Sequence, residues 1–298
     1  MRNALGMGLA GPTYVNAARA PYCGVAPLPG EIAGRWNLDP PLLASLAVIV
    51  LLYAVGAHRV RGAEGTGPRR AAFFAGWALC VLAWVSPLCG LGVALFSARI
   101  GQHLLLSFAA APLLVLGRPD VVLRALLHRS APPGSRWSPA AAWAACSCFA
   151  AAFWFWHAPG PYATTFRSDT AYWLMHLSVL GSGYGLWAAW IRGAAERPFH
   201  ALLLGVATSL QLGCLGALLT FAPTALFTPH RHTTAPWGFS ALADQQLGGL
   251  LCWIPGCAVF LIAGLAPLAA WLRAREAAGP HFAANWGGAP HTPISPSK

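Results

Sequence analysis

Charge is scarce in this chain, and lysine is almost missing. Only 9% of its 298 residues are charged, eight acidic against 19 basic, and the sole lysine is Lys298. A seven-helix retinal protein needs a lysine in a late helix for its Schiff base, so that class is excluded. The sequence also lacks a Gly-x-x-x-x-Gly-Lys phosphate loop, a His-Glu-x-x-His motif and a Gly-x-Ser-x-Gly elbow. No pattern of residues points to catalysis, and the expected role is not enzymatic. The net charge of +11 does not indicate nucleic acid, because the arginines lie beside apolar stretches rather than in one soluble patch. The anionic face of a lipid bilayer is their simpler partner.

Cysteine is present but poorly distributed for a disulfide framework. Cys80, Cys89, Cys146, Cys148, Cys214, Cys252 and Cys257 lie in or at the edge of apolar stretches, which leaves Cys23 alone ahead of them. Buried thiols are therefore the expectation. The first ten residues lack the apolar core and cleavage pattern of a signal peptide. No internal repeat suggests a transporter built from two related halves.

Apolar residues, at 57%, are abundant instead. Seven long apolar stretches run over about 40–58, 71–95, 100–117, 138–157, 170–191, 199–222 and 244–272. A helix of about 18 or more apolar residues crosses ~30 Å of hydrocarbon. The expected fold is all-α: a polytopic membrane protein with seven transmembrane helices. Thirteen of the 19 basic residues fall in alternate gaps: Arg59, Arg61, Arg69 and Arg70; Arg118, Arg124, Arg129 and Arg136; Arg192 and Arg197; Arg273, Arg275 and Lys298. The other side holds only Arg2, Arg19, Arg35, Arg99, Arg167 and Arg231. Because basic residues are retained on the cytoplasmic side, the N-terminus is predicted outside and the C-terminus inside. The expected organisation is an outer tail over 1–39, a transmembrane domain over 40–272 and a cytoplasmic tail over 273–298, disordered from Gly279. Pro87, Pro112, Pro255 and Pro267 are candidate kink positions. Gly181, Gly183, Gly185, Gly205, Gly213 and Gly216 are candidate sites of close helix contact.

Ionisable groups at membrane depth are costly, so their placement is the best guide to function. His58, His128 and His200 fall at cytoplasmic ends beside arginines, where a headgroup-facing role suffices, and His281 and His291 lie in the tail. The other histidines gather at the opposite end. His103 lies about one turn inside the third stretch, His157 closes the fourth, and His176 is about two turns into the fifth. His230 and His232 occupy the loop before Asp244, which opens the seventh. Neutral imidazole binds copper, zinc or iron, and sulfur adds a preference for Cu(I). His103, His157, His176 and Asp244 are the leading metal-site candidates; His230, His232 and Cys252 are secondary ones. Taken singly, each histidine also fits a structural hydrogen-bonding role.

Four strings carry a resemblance: FSARIGQHLLLSFAAAPLLVLGRP (Phe96 to Pro119), WFWHAPGPY (Trp154 to Tyr162), LMHLSVLGSGYGLW (Leu174 to Trp187) and LADQQLGGLLCWIPG (Leu242 to Gly256). From about Trp36 to Trp271 the chain resembles the bacterial family of seven-span cytochrome c oxidase assembly factors associated with the caa3-type oxidase. The resemblance implies a multi-pass protein of the bacterial inner membrane that helps mature cytochrome c oxidase at its copper centre. Its implied partners are oxidase subunits and a periplasmic copper donor, and its implied cargo is transient Cu(I). By position, His103, His157 and His176 match histidines of the family pattern, and Asp244 with Gln245 matches its acidic seventh-helix entry. The family commonly reads His-Met-x-x-His at the start of the third span, and here Arg99 and Ile100 take the first two places. Arg99 is a permanent cation that repels a metal ion. Two other readings follow: a metal-free helical scaffold for oxidase subunits, and a cofactor-free subunit of the oxidase itself.

Overall fold

The computed structural model describes residues 20–60, 66–128, 138–193 and 196–277, and among them all regular structure is helical. Arg2, Arg19, Arg61, Arg129, Arg136, Lys298 and the tail from Gly279 lie outside the described residues. Helix α1 (Pro40–Arg59) starts where Asp39 accepts the Leu42 N–H at 3.1 Å, with proline in its first turn, where no amide hydrogen is required.

Helices α2 (Thr66–Val85) and α3 (Leu88–Ala94) are one apolar run bent by 48° across Ser86 and Pro87. Pro87 cannot donate to the Ala83 carbonyl one turn back. The side-chain amide of Gln102 donates to that carbonyl instead, while Asn37 covers the next two. Its side chain donates to Trp84 O at 3.1 Å and its backbone N–H to Val85 O at 2.8 Å. The predicted kink at Pro87 is therefore a complete break whose exposed carbonyls are closed by two other segments.

After extended Leu95, the next run is α4 (Phe96–Leu104), a π-helical turn (Leu105–Ala110) and α5 (Ala111–Gly117). In the wide turn the Ala111 N–H reaches Leu106 O, five residues back. The same register assigns Ser107 O to Pro112, which has no hydrogen to give. The Trp187 indole N–H fills the gap at 2.9 Å. Arg118, in the left-handed region at φ 51°, then ends α5 and leads into the short helix α6 (Pro119–Leu126).

The remaining helices are α7 (Pro139–Trp156), α8 (Pro159–Thr164), α9 (Asp169–Gly193), α10 (Pro198–Phe221) and α11 (Ala241–Ala277). Pro255 and Pro267 leave α11 a single helix of 37 residues, about 55 Å long at ~1.5 Å per residue. Five described helices are long and apolar enough to cross a membrane, and the bent α2/α3 pair makes a sixth. Helix α9 has the length, at 25 residues, but Ser178, Ser182, His176 and its glycines dilute its apolar character, and it is not among the six. The protein is a multi-pass membrane protein.

Between helices in lipid the driving force is van der Waals contact rather than expulsion of water. Helices α10 and α11 meet this need at small residues: a Cβ on Gly205 would lie 2.7 Å from Phe260 O, and one on Gly216 would lie 2.7 Å from Gly249 O. Gly183 packs on Ser107, whereas Gly181 faces open space. Phe149, Phe153, Val179, Leu186, Leu212 and Phe260 form the fully buried centre, and Leu210, Leu218, Phe221, Ile254 and Ile262 are exposed on the outside of the bundle.

Candidate functional site

Three imidazoles from three helices meet inside the bundle, at the end where the 20–39 segment lies. His103 comes from the last turn of α4, His157 caps the C-terminus of α7, and His176 lies two turns into α9. Their rings are nearly inaccessible, at 0%, 3% and 0% exposure. The His103 ring centre is 5.2 Å from that of His157 and 5.4 Å from that of His176.

Hydrogen bonds assign the tautomers. His157 Nδ1 donates to Phe153 O at 2.6 Å, so its Nε2 carries a lone pair. That nitrogen accepts from His103 Nδ1 at 3.3 Å, which leaves His103 Nε2 as an acceptor. His176 Nδ1 donates to Tyr172 O at 3.0 Å, and its Nε2 is likewise an acceptor. Both His103 Nε2 and His176 Nε2 are buried without a partner. The trio thus offers two imidazole lone pairs, with His157 orienting His103. No described group of three or more His, Cys, Asp or Glu side chains is disposed to hold a metal ion. A tetrahedral zinc cage is not built here; two free nitrogens suit only a cation content with few ligands.

Arg99, one turn before His103, is 1% exposed. Its Nε donates to Gly92 O at 3.2 Å, its guanidinium sits 5.2 Å from the Tyr172 ring centre and 5.7 Å from that of Phe166, and its Nη1 has no partner. Tyr172 in turn lies 4.2 Å from the His176 ring. Among the described residues no carboxylate pairs with Arg99. A permanent cation therefore shares the pocket with the free imidazoles, and its charge is spread over aromatic faces rather than cancelled.

The other candidates lie elsewhere. Asp244 stands on α11 and accepts the Phe96 N–H at 2.6 Å, the Ser97 N–H at 3.2 Å and the Ser97 hydroxyl. Its carboxyl caps α4 and is committed there. His232 is exposed, and the buried Cys252 thiol faces Leu212 O at 3.8 Å. His230 is buried in the loop between α10 and α11, paired with the Tyr162 hydroxyl at 2.6 Å and 3.4 Å from Ala94 O.

Burial, then the charge of Arg99, pulls the His230 pKa down to about 3 against the weaker pull of the Ala94 carbonyl. Folded His230 stays neutral, whereas the unfolded ring is protonated below about 6.5. Its contribution to stability is therefore constant above that value and falls as pH drops from about 6.5 towards 3. Detergent-unfolding curves at pH 7 and pH 5 should show a smaller loss for His230→Gln than for the native chain.

Sequence reasoning missed the pairing of Cys23 with Cys89. Contrary to the expectation of buried free thiols, these two form a disulfide with Cα atoms 5.6 Å apart. The signal was available: Cys23 precedes the first span and Cys89 ends the second, so alternate crossing puts both at one end. Gln102 and Tyr172 were also not foreseen as walls of the pocket, whereas Arg99 stands beside the histidines as the sequence placed it.

Over residues 51–274 the chain matches the family model described as cytochrome c oxidase caa3 assembly factor. The chain belongs to that family. It is similar to an uncharacterized protein of Mycobacterium bovis, 30% identical over 242 residues covering 73% of this chain and 36% of the relative. An uncharacterized protein of Mycobacterium tuberculosis matches to the same extent. One from Mycobacterium leprae is 29% identical over 262 residues, covering 80% of this chain and 40% of the relative. The chain thus spans well under half the length of these curated relatives. No solved structure matches it. For this caa3 assembly factor family member, the matched region includes α4, α7 and α9, the segments that build the histidine pocket, and most of α11, whose Asp244 caps α4.

Proposed function

We propose that this chain assists maturation of the copper centre of cytochrome c oxidase, holding Cu(I) between His103 Nε2 and His176 Nε2 and releasing it to a nascent oxidase subunit. In this reading the protein sits in the bacterial inner membrane with seven spans, its pocket at the periplasmic side, and receives copper from a periplasmic donor. The observation that carries it is the pair of buried imidazole lone pairs with no hydrogen-bond partner, next to a third histidine that fixes one of them. An unpaired buried acceptor costs about 1–3 kcal/mol, so two in one pocket call for an occupant. Neutral nitrogen donors in small number suit Cu(I), and Arg99 weakens the hold, as a carrier requires.

Purified protein loaded with Cu(I) and desalted should retain about one equivalent by elemental analysis. With the Cys23–Cys89 bond intact, the triple variant His103→Ala, His157→Ala, His176→Ala should retain none. His157→Ala alone should weaken binding by about 10–100-fold, the usual cost of losing a group that orients a ligand. Equal copper in the native and triple-variant proteins would reject direct binding. The buried Arg99 favours a second reading, a metal-free scaffold. On that reading the triple variant still co-purifies with oxidase subunits and still supports oxidase maturation.

A further inference from the structure

The histidine pocket is closed, and what closes it on one side is a strap held by sulfur. Residues 20–37 run across the end of the bundle, where Tyr22 stacks on Tyr172 with ring centres 4.8 Å apart and meets Trp173 edge-on at 5.3 Å. The Tyr22 hydroxyl donates to Asp39 at 2.6 Å, and the Trp237 indole donates to Pro27 O at 3.2 Å. One covalent bond fixes the strap, Cys23 to Cys89. Its sulfurs lie 3.3 Å and 3.4 Å from the Tyr172 hydroxyl. Tyr172 is the residue whose ring packs 4.2 Å from His176 and whose carbonyl holds the His176 Nδ1 proton. From disulfide to free imidazole there is a single intervening side chain.

We propose that Cys23 and Cys89, once reduced, form a second Cu(I) site, a two-thiolate port through which copper reaches the histidines. Cys23 is half-buried and Cys89 fully buried, so an attacking thiolate meets Cys23 first and Cys89 leaves. The reductant is a dithiol: it supplies two electrons and two protons, becomes a disulfide itself, and leaves two thiols in place of the Cys23–Cys89 bond. Cu(I) then displaces both protons and binds two thiolates, a preferred soft ligand set. The product carries one net negative charge. Arg99, over the Tyr172 ring and without a carboxylate among the described residues, supplies the balancing positive charge. The same cation opposes Cu(I) on neutral imidazoles, so it favours copper at the port over copper at the histidines and keeps the inner site weak. Reduction also frees the strap, so the step that creates the ligands opens the way past them. Delivery to His176 rests on the reading given above; the sulfur site does not.

The test uses the full chain in detergent, either oxidised or reduced with a dithiol that is then removed without air. Both samples are titrated with Cu(I) against a chromogenic chelator and studied by copper X-ray absorption. The reduced protein should bind one equivalent more than the oxidised protein, with two sulfur neighbours at the added copper, and Cys23→Ser should abolish the addition. In a His103→Ala, His176→Ala variant the reduced chain should still bind one sulfur-ligated Cu(I). That result supports the port even if copper never visits the histidines. The same copper count in both redox states, or added copper with nitrogen neighbours alone, would overturn the proposal. So would loss of helix content by circular dichroism on reduction, since a port has to survive its own opening.

Discussion

Asp244→Ala should destabilise the protein by about 3–5 kcal/mol and reduce copper binding, although Asp244 touches none of the three histidines of the pocket. Its carboxyl is fully buried and accepts two backbone N–H groups and one hydroxyl at the start of α4. Removing it leaves all three donors without their partner, at about 1–1.5 kcal/mol for each, the low end of the usual cost, because an Ala side chain leaves room for the donors to readjust. The N-terminal end of a helix also favours negative charge. Helix α4 has only nine residues, and it carries Arg99, Gln102 and His103. Loosening its first turn therefore displaces the pocket. Asp244→Asn keeps one acceptor oxygen and should lose about half as much stability. Unfolding in detergent, read with copper content, separates this role from ligation. A ligand would lose copper with stability intact; a cap loses both together.

The second large effect concerns Cys23 and Cys89. The double variant Cys23→Ser, Cys89→Ser should lose up to about 4 kcal/mol, from the chain entropy restored when a loop of this length is opened. The bond spans 66 residues of sequence and encloses α1 and α2. Helices that persist in detergent after unfolding restrict that loop and bring the effect below the full value. Thermal unfolding of the native and double-variant proteins gives the difference. Hydrogen exchange should rise in residues 20–37 and stay low in α10 and α11, whose contacts do not involve the strap. An unchanged midpoint would mean that aromatic packing of Tyr22 on Tyr172 and Trp173 suffices to hold the strap.

Much of the architecture could be read from periodicity and length, because in lipid an apolar run has few structures open to it. Six of the seven stretches became helical segments apolar enough to cross, with the break at Pro87 in the expected place. The convergence of His103, His157 and His176 followed from counting residues inward from one end of each stretch. Their roles did not follow. That the His157 lone pair is taken up by His103 rather than left free depends on the Phe153 carbonyl, one turn back on α7. Asp244 resembled a ligand because a buried carboxyl is costly alone; its partners belong to a helix 147 and 148 residues away in sequence. The disulfide was obscured because Cys89 lies in an apolar stretch, where a thiol packs as a small hydrophobe.

The wide turn at Leu105–Ala110 has a bearing on how this span can vary. An α-helix ties every side chain's direction to the one before it at about 100° per residue. The six residues here follow a wider register between His103 and Pro112, with the Ala111 N–H bonded five residues back. The half of the span bearing Arg99, Gln102 and His103 is thereby offset in direction from the half beyond Ala110 by an amount that an uninterrupted α-helix would not give. A substitution that restored the ordinary α register in this turn would rotate Pro112 and the distal half relative to His103, so the wide turn fixes how the histidine-bearing half is aimed against its neighbours.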